Sequence, residues 1–419
     1  MAQPALAIAL ALSTRPTEAP TWIDVTASTQ GVPHIRRGRP HDLAEMEPGS
    51  GCVELDNRDR RFDPAYAAGP YYGNLKPMRR IKIKASWDGV TYDLFTGYVD
   101  GWPPEFSVGD GWVKVEAHDG FKCLGRCELN TSFAQQLSSE RIDAVLNAVS
   151  WTTGAAWVLD SLTNSQLDAT TMLGPVGDRL IMIGNTTVQA DVLENANALQ
   201  HLHEVAQAEN GLLFMGRDGA VIFQNRHYRL APEQMTPRWT FGDDLTSELP
   251  YVDAKLSYDD SDVYNDVRMT RRDGTTQAVM DSASQLDYFP ITLTQDRLLA
   301  ASDLEMLDRA FWLLGQKKQP RWRITSLRLD PEGDDRLWPV VLQAELGDRI
   351  RVRQRPFGGA LVEGEYHIKH IEINISEDFR WSVEWQLSPA DMTKYWHVSD
   401  GGDEFADYAI LGTTTVLSY

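Results

Sequence analysis

The sequence predicts a mainly β protein in which two antiparallel β regions, 1–128 and 236–390, flank a mixed α/β insertion at 129–235. Three observations carry this. Apolar and polar residues alternate with a period of two through both flanking regions, as half-buried strands require. Turn signals such as Asp88-Gly89 and Gly109-Asp110-Gly111 separate those segments, which is the punctuation of hairpins. Between the two regions the period changes to that of amphipathic helices.

Taken in order, Leu6, Ile8, Leu10 and Leu12 alternate with alanines, which describes a strand with one bulky and one thin face. A signal-peptide core is the weaker reading, because no positive charge precedes this short run. Ile81–Ala85, Tyr92–Val99 and Trp112–Ala117 continue the alternation, so the first region reads as a compact antiparallel barrel or sandwich. A helix then carries Ile142, Val145, Leu146 and Val149 on one side, with Ser138 or Ser139 as its cap and Gly154 beyond its end. Asp191 with Glu194 predicts a capping-box start for a second helix, whose buried stripe is Leu199, Leu202 and Ala206 and whose stop is Asn210-Gly211. Leu212–Met215, the turn Gly216–Gly219 and Ala220–Phe223 form a hairpin. In the second β region one helix is expected near 296–316, with Leu299, Leu307, Phe311 and Leu314 on its apolar side and Pro320 after its end. Arg349–Arg353, His367–Ile375 and Trp381–Leu387 alternate cleanly, so a second antiparallel barrel is expected to close at about 390. The tail at 391–419 is expected to order against a neighbouring subunit.

Composition narrows the function classes. At 419 residues the chain is long enough for two to four units at the usual ~100–200 residues per domain. A hydrophobic content of 42%, with 13 Trp, 14 Tyr and 13 Phe, excludes global disorder. Cys52, Cys123 and Cys127 are too few for a disulfide framework and suit assembly in a reducing cytosol. No apolar run approaches the ~18–20 residues that span a bilayer, so no membrane anchor is expected. A formal net charge of −20 argues against specific nucleic-acid binding, which needs a cationic surface. The charge is uneven: residues 36–84 hold eleven Lys and Arg against seven acids, whereas 241–266 hold eight acids against Lys255 alone.

The motifs of catalysis are missing. No Gly-x-Ser-x-Gly, phosphate-binding loop or His-Glu-x-x-His occurs. His118, Cys123 and Cys127 lack zinc-ligand spacing and a fourth ligand. His201 and His203 stand two apart on a helix and so face different directions, which suits surface or satisfied-core histidines. Asp56–Asp59 and Asp259–Asp262 are rich in oxygens but lack the Gly and Glu of a calcium loop. No enzyme activity, cofactor or metal is expected.

Several short motifs run through the chain in a fixed order. They are Trp22-Ile-Asp-Val-Thr, Ile35-Arg-Arg-Gly-Arg39, Glu47-Pro-Gly-Ser-Gly and Leu55-Asp-Asn-Arg-Asp-Arg-Arg-Phe-Asp-Pro64. Leu94-Phe-Thr-Gly-Tyr-Val-Asp100, Ala117-His-Asp-Gly-Phe-Lys-Cys-Leu124 and Leu346-Gly-Asp-Arg-Ile-Arg-Val352 follow. In this order the chain resembles the minor tail proteins of siphophages of actinobacteria, in particular the tail-tip or baseplate hub. It departs in having Cys52 at a usually small polar position and in lacking a Gly after Asp287-Tyr288. Gly38 and Gly49 are expected to serve turns, Asn57 and Asp59 to bond their own backbone, Phe62 to anchor a loop and Pro64 to end it, so that Arg37, Gly38, Arg39, Asn57, Asp59, Phe62 and Pro64 form a structural loop motif.

The resemblance implies two related β-barrel hub domains per subunit and a homotrimer that presents a pseudo-sixfold ring. It implies a virion protein of the tail tip, assembled in the host bacterial cytoplasm. The expected partners are the hexameric distal tail protein or tail tube, the C-terminus of the tape-measure protein, and other minor tail proteins or fibres. Phage DNA would pass the lumen without specific binding, and Asp243, Asp244, Asp259, Asp260 and Asp262 are the acidic residues expected to line it. Three alternatives stand beside this reading: a hexameric distal tail ring protein, a tail module binding host carbohydrate through Trp151, Trp157 or Trp396, and a cell-wall hydrolase. For the last, the thirty or so residues after 390 are too few for a catalytic domain.

Overall fold

The N-terminal alternation forms β1 (Ala5–Ala11), which buries Ile8 and Leu10. The first region continues with β2 (Ile23–Asp24), β3 (His34–Gly38), β4 (Glu47–Asp56), β5 (Arg80–Trp87), β6 (Val90–Val99), β7 (Pro104–Ser107) and β8 (Asp110–His118). The structure, a computed structural model, describes residues 3–31, 33–151, 178–230, 234–376, 378, 380–390, 395–396 and 416–417. β5 and β6 meet at Asp88 and Gly89, whose φ of 48° and 78° are both positive, as a two-residue turn matched to strand twist requires. β7 and β8 pair from Ser107↔Asp110 outward, so that hairpin also forms as expected.

The first region ends with α1 (Phe121–Leu124), and from there to the second region run β9 (Glu128–Phe133), β10 (Gln136–Leu137), α2 (Ser138–Ala148), β11 (Arg179–Ile181), β12 (Thr187–Val188), β13 (Asp191–Asn197), α3 (Ala198–Glu209), β14 (Leu212–Met215) and β15 (Val221–Gln224). α2 buries Ile142, Val145 and Leu146 as expected, but neither serine caps it. Leu137 takes the cap position, Glu140 Oε2 accepts from its N–H at 2.9 Å, and the Ser138 hydroxyl donates instead to Glu209 Oε2 at 2.8 Å. Gly154 lies outside the described residues. The start of α3 also moves. Asp191 and Glu194 belong to β13, whose pairing with β9 overrides the local capping pattern, and Asn197 Oδ1 caps the helix by accepting from Gln200 N at 3.0 Å. α3 does stop as expected, at Asn210 with φ 56°.

The second region holds β16 (Trp239–Phe241), β17 (Asp253–Ser257), β18 (Asp266–Arg271), β19 (Gln277–Met280), α4 (Ser282–Tyr288), β20 (Thr292–Leu298), α5 (Asp303–Lys317), β21 (Arg323–Leu329), α6 (Leu337–Gln343), β22 (Arg349–Gln354), β23 (Val362–Ile375) and β24 (Trp381–Pro389). α5 begins later than its apolar residues suggest: Leu299 precedes it, and Phe311 is 58% exposed. The buried side is Met306, Ala310, Leu313 and Leu314, and Phe311, one position after Ala310, is turned away by about 100°. α5 covers the three-stranded sheet β19-β18-β20 and with it forms an apolar core of its own.

Strand pairing unites the two β regions. The order β17-β21-β24-β23-β3-β4-β8-β6-β5-β1-β2, with β7 on β8, β22 on β23 and β16 on β22, makes one 14-stranded, mostly antiparallel sheet. The fold is thus mainly β with an α/β insertion, as expected, but among the described residues no ladder closes a barrel. Among the described residues each half returns on itself through a single bridge, Thr29↔Leu55 in the first and Phe241↔Leu249 in the second. One apolar core runs beneath both halves and the insertion. No helix among the described residues is long and apolar enough to cross a membrane.

β23 is the shared strand. Tyr366–Ile375 pair with β24 along one edge, while the other edge takes β22 at 362–367 and then β3 at 370–374. Gly38 sits in this seam, at a bulge rather than a turn, with φ +120°. A Cβ there would stand 2.2 Å from Lys369 O and 2.6 Å from His370 Cα. Gly38→Ala is therefore expected to destabilise the chain by about 2–3 kcal/mol, from strain and from displacement of β23, read as a lowered denaturant midpoint. Gly49 likewise lies within β4, not in a turn. Phe289 adopts φ 60°, ψ 164°, a glycine conformation at the position where the sequence resemblance leads one to expect glycine.

Candidate functional site: the seam between the two halves

Alternation along β3 turns Arg37 inward, where it is 5% exposed. Its Nη2 donates to Met215 O at 2.7 Å and pairs with Glu345 Oε1 at 2.7 Å. Glu345 follows α6 and is itself buried. Arg217, in the turn between β14 and β15, approaches Glu345 Oε2 at 3.9 Å and donates to the carbonyl oxygens of Leu342 and Gln343. Those carbonyls are among the groups that the end of α6 leaves without helical partners, and a cation there also suits the helix dipole. One carboxylate thus gathers the first half, the insertion and the second half. Burial alone would raise its pKa, but Arg37 and Arg217 hold it below the usual carboxylate range. Asp348, bound by Glu345 N at 2.9 Å and Arg238 at 2.8 Å, is pushed up by burial.

A second charge array runs along β22. Arg349 and Arg351 both pair with Glu365, at 2.5 and 2.6 Å, and Arg353 pairs with Glu363 at 2.6 Å and Glu248 at 3.3 Å. Arg355 continues the series onto Asp243 and Glu248. Its hydrogen bonds hold the Glu248 carboxyl down to about 2.

The expected lumen acids fall on two loops. Asp243 is bound by Arg355, and Asp244 accepts from the Thr246 and Ser247 hydroxyls at 2.6 and 2.9 Å. In the loop between β17 and β18, Asp259 pairs with Arg323 at 2.5 Å and Asp262 with Lys317 at 2.6 Å. Hydrogen bonds from Ser257, Ser261 and Arg323 hold Asp259 far below the carboxylate range. Asp260 is exposed. The loop motif separates in the same way. Arg37 and Gly38 sit in the seam, with Arg39 just beyond, its Nη1 3.4 Å from Ala44 O. Asn57, Asp59, Phe62 and Pro64 order a distant loop of the first half. There Asn57 Oδ1 accepts from Phe62 N at 2.8 Å, Asp59 Oδ1 accepts from Arg61 N at 3.0 Å, Phe62 stacks on Tyr71 and Trp102, and Pro64 is exposed.

His201 and His203 are both buried: His201 stacks on Phe133, and His203 lies 3.1 Å from Glu45 Oε2. The three cysteines are free and partly buried, and no group of three or more His, Cys, Asp or Glu among the described residues could hold a metal. Trp151 is buried. Trp157 lies outside the described residues, and of Trp396 only the backbone is described. Sequence reasoning missed Arg217 and Glu345. The β22 array did leave a signal, Arg349-x-Arg-x-Arg-x-Arg355 followed by Glu363-x-Glu365.

Neither a protein-family model nor a curated protein sequence matches this chain. Solved structures do. The 43 kDa tail protein of prophage MuSo2 from Shewanella oneidensis is similar with a TM-score of 0.56 at 12% identity, covering 93% of this chain and 99% of its own. The tail protein from Neisseria meningitidis MC58 is similar with a TM-score of 0.56 at 12% identity, over 91% and 96%. The likeness is one of fold: this chain has the architecture of those two tail proteins across nearly its full length.

Proposed function

We propose that the chain is a non-enzymatic structural protein of a phage tail, the hub at the distal end of a long tail of the siphophage type. The observation that carries this reading is the fold shared with two tail proteins over more than nine-tenths of the chain. The internal plan supports it. Two sheet halves, each curling back through a single bridge and joined at β23, give each copy two comparable wedges, corresponding to the proposed units 1–128 and 236–390 around the 129–235 insertion. Three copies then offer six wedges to a sixfold tail tube or distal ring above and threefold symmetry to fibres or a spike below. The tape-measure C-terminus and other minor tail proteins are the remaining partners, and DNA leaves through the centre. Asp243, Asp244, Asp259, Asp260 and Asp262 face that path in this reading. Asp244 and Asp260 contribute most to repelling phosphate, since Arg355, Arg323 and Lys317 offset Asp243, Asp259 and Asp262.

Mass measurement of the assembled particle tests the proposal. A trimer is expected, a hexamer would assign the chain to the adjacent distal ring, and a stable monomer in the particle would defeat both.

A further inference from the structure

In a chain of net charge −20, one cleft carries the opposite sign. It opens where the first half, the insertion and the second half meet, with an empty volume, out to solvent, of about 1260 Å³. Arg39, Arg226, Arg229, Lys317, Arg321 and Arg323 line it, against Asp42 and Asp262. Lys317 is held by both aspartates, at 3.4 and 2.6 Å, Arg323 by Asp259 and Arg226 by Glu305. Among the described residues Arg321, on the exposed rim, is held only by neutral oxygens, Gln316 Oε1 at 3.1 Å and Gly315 O at 3.3 Å. Arg39 Nε is shut off from solvent with no hydrogen-bond partner among the described residues. Crowded cations also leave an electrostatic mark. Burial and the nearby Arg229 push Arg39 down to about 10, and burial with Arg229 and Arg349 pushes His367, on the cleft wall, down to about 3. An anion entering here would relieve that repulsion by pairing with the guanidinium nitrogens that face the cleft.

We propose that this cleft receives an acidic polypeptide segment of a neighbouring tail subunit, its carboxylates meeting Arg39 and Arg321. The occupant's chemistry follows from charge and lining. A polyanion as dense as nucleic acid is repelled by the rest of the acidic surface, whereas a short segment brings only a few charges. Leu43, Trp312, Pro320 and Pro389 supply apolar walls for its backbone and side chains. The inference rests on the reading of the chain as an assembly component, but its test is independent of subunit number.

The full chain is titrated into a fluorescein-labelled dodecapeptide rich in Glu and Asp, with the Gln/Asn counterpart, inorganic phosphate and a single-stranded oligonucleotide as competitors. The acidic peptide is expected to bind and its counterpart not. Affinity should fall between 50 and 200 mM salt as screening grows, and Arg321→Gln and Arg39→Gln should each weaken it about tenfold, the effect of one lost charged contact. Arg321 is at the exposed rim, so Arg321→Gln keeps the test valid if Arg39→Gln fails to fold. Absence of binding, binding that both variants leave unchanged, or displacement of the peptide by the oligonucleotide would overturn the proposal. Binding of phosphate without the peptide would reassign the cleft to a small oxyanion and overturn it equally. A trimer that ignores the peptide sinks this inference alone.

Discussion

Replacing Trp338 by alanine is expected to lower stability by about 3–5 kcal/mol, the range for truncating a fully buried aromatic. Trp338 on α6 is 0% exposed. Its ring lies 5.5 Å from that of Trp87 on β5 and meets Trp381 of β24 edge-on at 5.4 Å. The three rings therefore clasp the first half to the second. Nε1 of Trp338 is buried without a hydrogen-bond partner among the described residues, so the loss is one of packing, and Trp338→Phe should recover much of it. Denaturant midpoints of the two variants measure this. Equal midpoints for wild type and Trp338→Ala would mean that the halves are held together elsewhere.

Glu345→Gln should cost a similar ~3–5 kcal/mol, because it leaves Arg37 and Arg217 buried beside a neutral group. Removing charge on both sides, as in Arg37→Met with Glu345→Leu, should cost less than the two single losses added together. The pH dependence has a definite sign. The folded carboxyl of Glu345 is held below its ordinary value, so its contribution is complete above the unfolded pKa of about 4.3 and is lost as pH falls through the lower folded value. Thermal midpoints at pH 7 and pH 3 should therefore converge for wild type and Glu345→Gln on the acid side. A gap no narrower at pH 3 than at pH 7 would contradict the assignment.

What could be read from the sequence was local. β1, the β5–β6 and β7–β8 hairpins, the β14–β15 hairpin and the stop of α3 follow from period and turn chemistry acting over a few residues. The errors share one cause, tertiary contact overruling a local pattern. Asp191 and Glu194 look like a helix start, but β9 pairs with the strand that holds them, Asp191 directly and Glu194 at its bulge. α6, Leu-Trp-Pro-Val-Val-Leu-Gln, is buried on nearly every side, so it carries no helical period to detect. At the site, the arginine spacing of β22 was visible, whereas the Arg37–Glu345–Arg217 cluster joins residues over a hundred positions apart and has no sequence signature. The pairing of β3 with β23 was equally hidden, since alternation states that a strand exists but not which strand it pairs with.

That last pairing has a consequence for synthesis. Gly38 and His370, partners in the seam, are 332 positions apart in the chain. While the ribosome is still making the intervening residues, one edge of β3 has no strand to accept its hydrogen bonds, and such an edge is a template for association with other nascent chains. The N-terminal half must wait, at ~5–20 residues per second, for the strand that covers it. β23 therefore completes the seam long after β3 is made, and a truncated product ending before β23 would emerge with an adhesive border in its place.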